Sequence, residues 1–131
     1  MKTKWSRSWK SSVQPRKQRK YRHNAPLHIR HRFLSALLSK DLRKKHGVRN
    51  VPLRLKDKVK ILRGKFKGVI GEIESVSLSK NHVFVKGAEN KKEEGRIVKY
   101  PIEPSNTMII ELNLSDKKRK AAFEKNKGDL K

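Results

Sequence analysis

Apolar positions divide this chain by period. Before residue 50 they recur at helical spacing or not at all. From Val51 they alternate with polar residues. Asn24 to Leu34 predicts a helix capped by Asn24 with Pro26 in its first turn, although Leu27, Arg30 and Leu34 give it a mixed face. A second short helix is expected after Ser39, whose hydroxyl can cap it, with Gly47 as its stop. Beyond Asp57, Val59 and Ile61 alternate with Lys58 and Lys60, the pattern of a strand with one wet face. Gly68 to Leu78 predicts a longer strand whose parity slips: Val69, Gly71 and Ile73 share one face, Val76 and Leu78 the other. A bulge near Glu74-Ser75 returns both sets to one core. Further strands are expected at 82–86, 97–102 and 108–112, with turns at Lys80-Asn81, Gly87–Gly95 and Pro104–Asn106. A final helix, capped by Ser115-Asp116, runs to about Asn126. Five short strands joined by close turns predict a mainly β fold, a small barrel.

Charge sharpens this division. The 131 residues carry 36 Lys and Arg against 12 Asp and Glu, a formal charge of +24. Residues 1–50 hold 16 basic residues and one acid, residues 51–112 hold 13 and 8, and residues 113–131 hold 7 and 3. Apolar residues run the other way, with 24 in the middle segment and 15 in the first fifty. The expected organisation is a basic arm over 1–50 with short helices, a β core over 51–112, and a basic C-terminal helix and tail over 113–131. With little to bury, the arm up to about Arg22 is expected to lack structure in the free protein, Trp5, Trp9 and Val13 offering only a weak stripe. Such a charge calls for a polyanionic partner.

Several chemistries drop out. There is no cysteine, hence no disulfide scaffold, thiol nucleophile or cysteine-ligated zinc. His28 and His31 lie one helical turn apart, but nothing nearby completes a metal-binding set. Glu93 and Glu94 sit in a lysine-rich turn and read as solvated. No nucleophile elbow or phosphate-cradling glycine loop is present. We therefore expect no enzyme, metal, cofactor or small-molecule substrate. The densest apolar stretch, Phe33 to Leu38, is far too short to cross a membrane. Residues 1–40 contain no acid and are rich in Arg and Ser, as mitochondrial presequences are, but without an apolar export signal the cytosol is the default.

Between the first two core strands lies Arg63-Gly64-Lys65-Phe66-Lys67-Gly68. Gly64 and Gly68 permit positive φ at both ends of a tight loop with Lys65, Phe66 and Lys67 at its tip. Gly71 then falls inside the strand, where a missing side chain admits another backbone. Alone, such a loop is commonly a solvated turn. The whole run Lys56–Val76, KDKVKILRGKFKGVIGEIESV, resembles a KOW motif, found in ribosomal proteins and in transcription elongation factors; Lys56 stands where the motif usually has glycine. QPRKQRKY from Gln14, NAPLHIR from Asn24, LSKDLRKKHGVRN from Leu38 and PIEPSN from Pro101 closely resemble one KOW-containing family of large-subunit ribosomal proteins. It is family twenty-four of the universal series, in its archaeal and eukaryotic form, and the missing insertion after Gly68 is similar to the archaeal branch.

The resemblance implies an SH3-like barrel that binds large-subunit rRNA directly near its 5′ region. It further implies a role early in assembly, a place near the nascent-chain exit tunnel and neighbouring ribosomal proteins as partners. Candidate RNA contacts are Arg16, Lys17, Arg19, Lys20 and Arg22 with Tyr21 interleaved, then His28, Arg30, Arg32, Lys44, Lys45 and Arg49, and the loop residues Lys65, Phe66 and Lys67. A transcription elongation module would need a mixed α/β domain that the first fifty residues are too basic to supply. A general nucleic-acid compactor would fit the charge but needs no such glycine spacing.

Overall fold

The computed structural model of this chain describes residues 5–8 and 12–128. It opens with α1 (Pro15–Asn24) and α2 (Leu27–Phe33). The segment from Pro15, expected to be irregular, is helical: Pro15 supplies a preset φ at the start, and the Lys, Arg and Gln that follow are good helix formers. Asn24 ends this helix instead of beginning the next, and Pro26 is the N-cap of α2. Proline explains the break, since it disfavours helical backbone at Ala25, whose ψ is 139°. Of the expected stripe of Trp5, Trp9 and Val13, the two described members share no buried face. The Trp5 ring lies against Tyr21, Val13 is 92% exposed, and Trp9 falls outside the described residues.

Ser35–Leu38 then forms a strand, β1, that the sequence pattern did not single out. Its alternation buries Ala36 and Leu38. It pairs antiparallel with β2 (Asn50–Pro52) and parallel with β8 (Thr107–Glu111), so the arm contributes a strand to the sheet and no structural break falls at residue 50. Between them, α3 (Lys40–His46) forms as expected. The Ser39 hydroxyl accepts the Leu42 N–H at 3.4 Å, and Gly47 ends the helix at φ 68°.

The core strands follow the period-two pattern. In β3 (Lys58–Ile61), Val59 and Ile61 are fully buried. β4 (Ile70–Ser77) pairs with β3 and, on its other side, with β5 (His82–Val85). Opposite β5 the register passes from Ile73↔Val85 to Ser75↔Phe84, placing the bulge at Glu74 as the parity slip required. The expected turn Gly87–Gly95 contains a short strand, β6 (Glu89–Lys91), which carries no apolar alternation to announce it. It pairs with β7 (Ile97–Lys99) in a separate two-stranded ribbon. β7 stops short of the expected Ile102 because Pro101 has no N–H to give a ladder; Ile102 makes only an isolated bridge to Val83.

The main sheet runs β2-β1-β8-β3-β4-β5 and stays open, correcting the expected closed barrel. β1 takes the edge of β8 away from β3, and the edge strands β2 and β5 do not pair with each other, so the sheet does not close on itself. The chain is thus mainly β, with helices around one curved sheet. Leu34, Leu38, Val59, Ile61, Ile73, Val83, Val85 and Ile109 form the centre of its core. A last helix, α4 (Lys117–Gly128), packs on α3 through Phe123, whose ring meets His46 at 4.8 Å.

Candidate nucleic-acid interface

The loop between β3 and β4 is built by its glycines. Gly64 and Gly68 sit at φ 93° and 90°, where side chains are rarely accommodated. The Gly68 N–H bonds back to the Ile61 carbonyl at 2.8 Å, and the Lys67 N–H to that of Gly64 at 3.2 Å. Gly71 serves a different need. A Cβ there would stand 2.2 Å from the Lys86 carbonyl oxygen, so β4 and the end of β5 can approach only without one. Lys56, in the place where the motif usually has glycine, adopts φ 66°, the left-handed geometry that glycine favours.

The three loop-tip residues separate. Phe66 turns back on the sheet and packs with Tyr100, ring centroids 5.1 Å apart, instead of projecting into solvent. Lys65 donates to Asn90 Oδ1 at 2.7 Å and lies 5.5 Å from the Phe66 ring centre. Lys67 is exposed.

Along α1, Arg16, Lys17, Arg19, Lys20 and Arg22 are all exposed, and the helix buries no residue at all. Tyr21 is half-buried, its carbonyl accepting the Trp5 indole N–H at 3.1 Å. His28 and Arg32 are exposed on α2. Arg30 is placed otherwise: its guanidinium donates to the carbonyls of Ala25 (3.0 Å), Ser79 (3.1 Å) and His23, tying both N-terminal helices to the β4–β5 hairpin. Lys44, Lys45 and Arg49 are exposed in and just after α3.

Sequence reasoning missed the clamp that holds α4. Asp57 is fully buried, and Arg119 of α4 is 6% exposed. The guanidinium grips both carboxylate oxygens, at 2.7 and 2.8 Å. The backbone N–H groups of Arg54 and Asn113 complete the carboxylate at 2.9 Å each, while Arg119 also donates to the carbonyls of Asn113 and Pro52. A buried pair this fully bonded is the form in which the cost of desolvation is met. Only the conspicuous acid at the head of the KOW run hinted at it. At the start of α4, Asp116 accepts the Lys118 N–H at 3.0 Å and pairs with Arg54 at 2.5 Å. That backbone hydrogen bond, opposed by some desolvation and aided by the Arg54 guanidinium, holds its carboxyl below the ordinary value of 3.8.

Among the described residues, no three His, Asp or Glu side chains gather as a metal would require, and no helix is long and apolar enough to cross a membrane. What the surface offers is exposed cations on short helices set around a rigid sheet.

Comparison with known proteins agrees in extent with this architecture. A family model described as ribosomal proteins, L26 in eukaryotes and L24 in archaea, matches residues 12–126. The large ribosomal subunit protein uL24 of Pyrobaculum islandicum is 46% identical over 117 residues, covering 89% of this chain and 95% of that protein. The match takes in α1, the sheet and nearly all of α4, and the family is one of ribosomal proteins, not of enzymes. This chain belongs to the ribosomal protein family that comprises eukaryotic L26 and its archaeal L24 counterpart.

Proposed function

We propose that this chain is a structural constituent of the large subunit of the cytoplasmic ribosome, and that it binds large-subunit rRNA directly. Its site lies near the 5′ region of that RNA, where it supports early assembly and comes to rest beside neighbouring ribosomal proteins near the nascent-chain exit tunnel. The observation that carries the reading is α1: five exposed cations on a helix that buries nothing, in a stretch of forty residues without an acid. A helix with no buried face and that charge is stabilised by a polyanion. Residues 1–50 supply most of the phosphate contacts in this reading. In the same reading residues 51–112 form an SH3-like scaffold, supported by the bulge at Glu74 and the Val83↔Ile102 bridge, and residues 113–131 supply a second basic patch.

The test measures rRNA affinity against salt. Replacing Arg16, Lys17, Arg19, Lys20 and Arg22 together by Gln removes five phosphate contacts, and the slope of log K against log salt is expected to fall by about 3.5–4.5. In the loop, Lys67→Gln is expected to lower it by about 1 and Lys65→Gln by less, since Lys65 already has Asn90 as partner. An unchanged slope in the five-residue variant would remove the arm from the interface. A tagged chain that fails to sediment with large subunits would remove the ribosomal role itself.

A further inference from the structure

Two cavities meet on the face that joins the N-terminal helices to the sheet. The first, of about 300 Å³, lies between α1, α2 and the β4–β5 hairpin, with Arg19, Arg22, Phe33 and Lys80 on its walls. The second, of about 210 Å³, lies beside the glycine loop and is bounded by Arg63, Lys65, Phe66 and Tyr100. His82 and Glu103 line both, so the two run together as one trough. Each half is at or below the small end of ligand pockets, roughly 300–1,000 Å³, which suits a nucleoside and not a protein segment. Each half has both cations and aromatic rings on its walls, the combination on which single-stranded nucleic acid stacks.

The centre of the trough is chemically different from its ends. Glu103 is exposed there and makes no ion pair with any described residue, in a protein whose surface is otherwise dominated by cations. A carboxylate repels phosphate and accepts from N–H donors, so on a bound RNA it suits the donor edge of a base and not the backbone. Beside it, His82 lines both cavities and Asn81 the first, and Asn81 Oδ1 and His82 Nδ1 are buried with no hydrogen-bond partner among the described residues.

We infer that this trough receives an unpaired guanine of the bound RNA, its adjacent N1–H and N2–H donors on the Glu103 carboxylate and its flanking phosphates on the cations of the two halves. Guanine is the base that presents two neighbouring donors on one edge, the match for a two-oxygen acceptor. The inference deepens the rRNA-binding reading and rests on it.

The experiment uses the full chain and single-stranded RNA pentamers, UUUUU, UUGUU and UUGUU with inosine in place of guanosine, followed by fluorescence anisotropy at fixed salt. UUGUU is expected to bind about tenfold more tightly than UUUUU, a difference of about 1.4 kcal/mol. Inosine, which lacks the N2 amine, is expected to fall between. Glu103→Gln is expected to bring UUGUU within about twofold of UUUUU and leave the salt slope unchanged, because no phosphate contact is lost. Lys80→Ala is expected to weaken both pentamers equally and lower the slope by about 1. Equal binding of UUGUU and UUUUU by the unsubstituted chain overturns the inference, as does a preference that survives in Glu103→Gln. If large-subunit rRNA is still bound in either case, the trough alone is refuted. If rRNA is not bound at all, the functional reading falls with it.

Discussion

α1 and α4 are both short cationic helices beside the same sheet, and they are attached in opposite ways. α1 spans ten residues and buries none of them. α4 spans twelve and sinks both Arg119 and Phe123 into the body of the molecule. Composition does not distinguish the two, for each is rich in Lys and Arg. The difference is one buried acceptor. Asp57 lies where α4 can reach it, and among the described residues no acid forms an ion pair with α1. For these two helices a cation has two fates: Arg119 is structural because a buried carboxylate meets it, and the five basic residues of α1 stay exposed.

The sharpest way to break this comparison is to remove the acceptor. Asp57→Ala leaves the Arg119 guanidinium buried without its counter-charge, and urea melts are expected to show a loss of about 3–5 kcal/mol with reduced helicity from α4. Neutralising Arg16, Lys17, Arg19 and Lys20 should change stability by less than about 0.5 kcal/mol, as exposed positions do. Equal losses at the two ends would erase the distinction.

Next in size is the scaffold behind the clamp. Gly71→Val drives its side chain into the Lys86 carbonyl and is expected to cost about 2–3 kcal/mol in the same melts. Gly68→Val has open space around it and acts through φ alone, at about 1–2 kcal/mol. The order of those two losses separates crowding from backbone strain.

A gain is expected beside the clamp. Lys56, at φ 66°, immediately precedes Asp57, and Lys56→Gly relieves its left-handed geometry. After the added freedom of the unfolded chain is subtracted, stability should rise by about 0.5 kcal/mol. The smallest effect concerns the cap of α4. Because the folded protein depresses the Asp116 carboxyl, its contribution is fully present above the unfolded value near 3.8 and is lost as pH falls through the lower folded one. Asp116→Ala should therefore lower α4 helicity at neutral pH and match the unsubstituted chain in strong acid, read by circular dichroism.

Where the sequence speaks through local chemistry, it was legible. Ser39 and Gly47 delimit α3, Val59 and Ile61 orient β3, and the slipped parity across Gly68–Leu78 locates the bulge at Glu74. Partnerships between distant residues were not. Ser35–Leu38 has three apolar residues in a row, Ala36 to Leu38, which suit a buried helix end as well as a strand, and only its pairing with β2 and β8 decides. β6 is Glu-Asn-Lys, without a hydrophobic face to reveal it. Of the proposed contact residues, the composition marked cations without saying which were committed. Arg30 is spent on three carbonyls, Phe66 is folded against Tyr100, and the five basic residues of α1 remain open.

The parallel pairing of β1 with β8 sets an order on folding. Leu37 and Leu38 find their partners Met108 and Ile109 across more than half the chain, a separation that raises contact order and slows the search. During synthesis β1 must wait, unpaired on that side, until β8 has been made. In the proposed reading α1, two elements ahead of β8's first partner, can meet RNA throughout that interval, before the sheet has been completed.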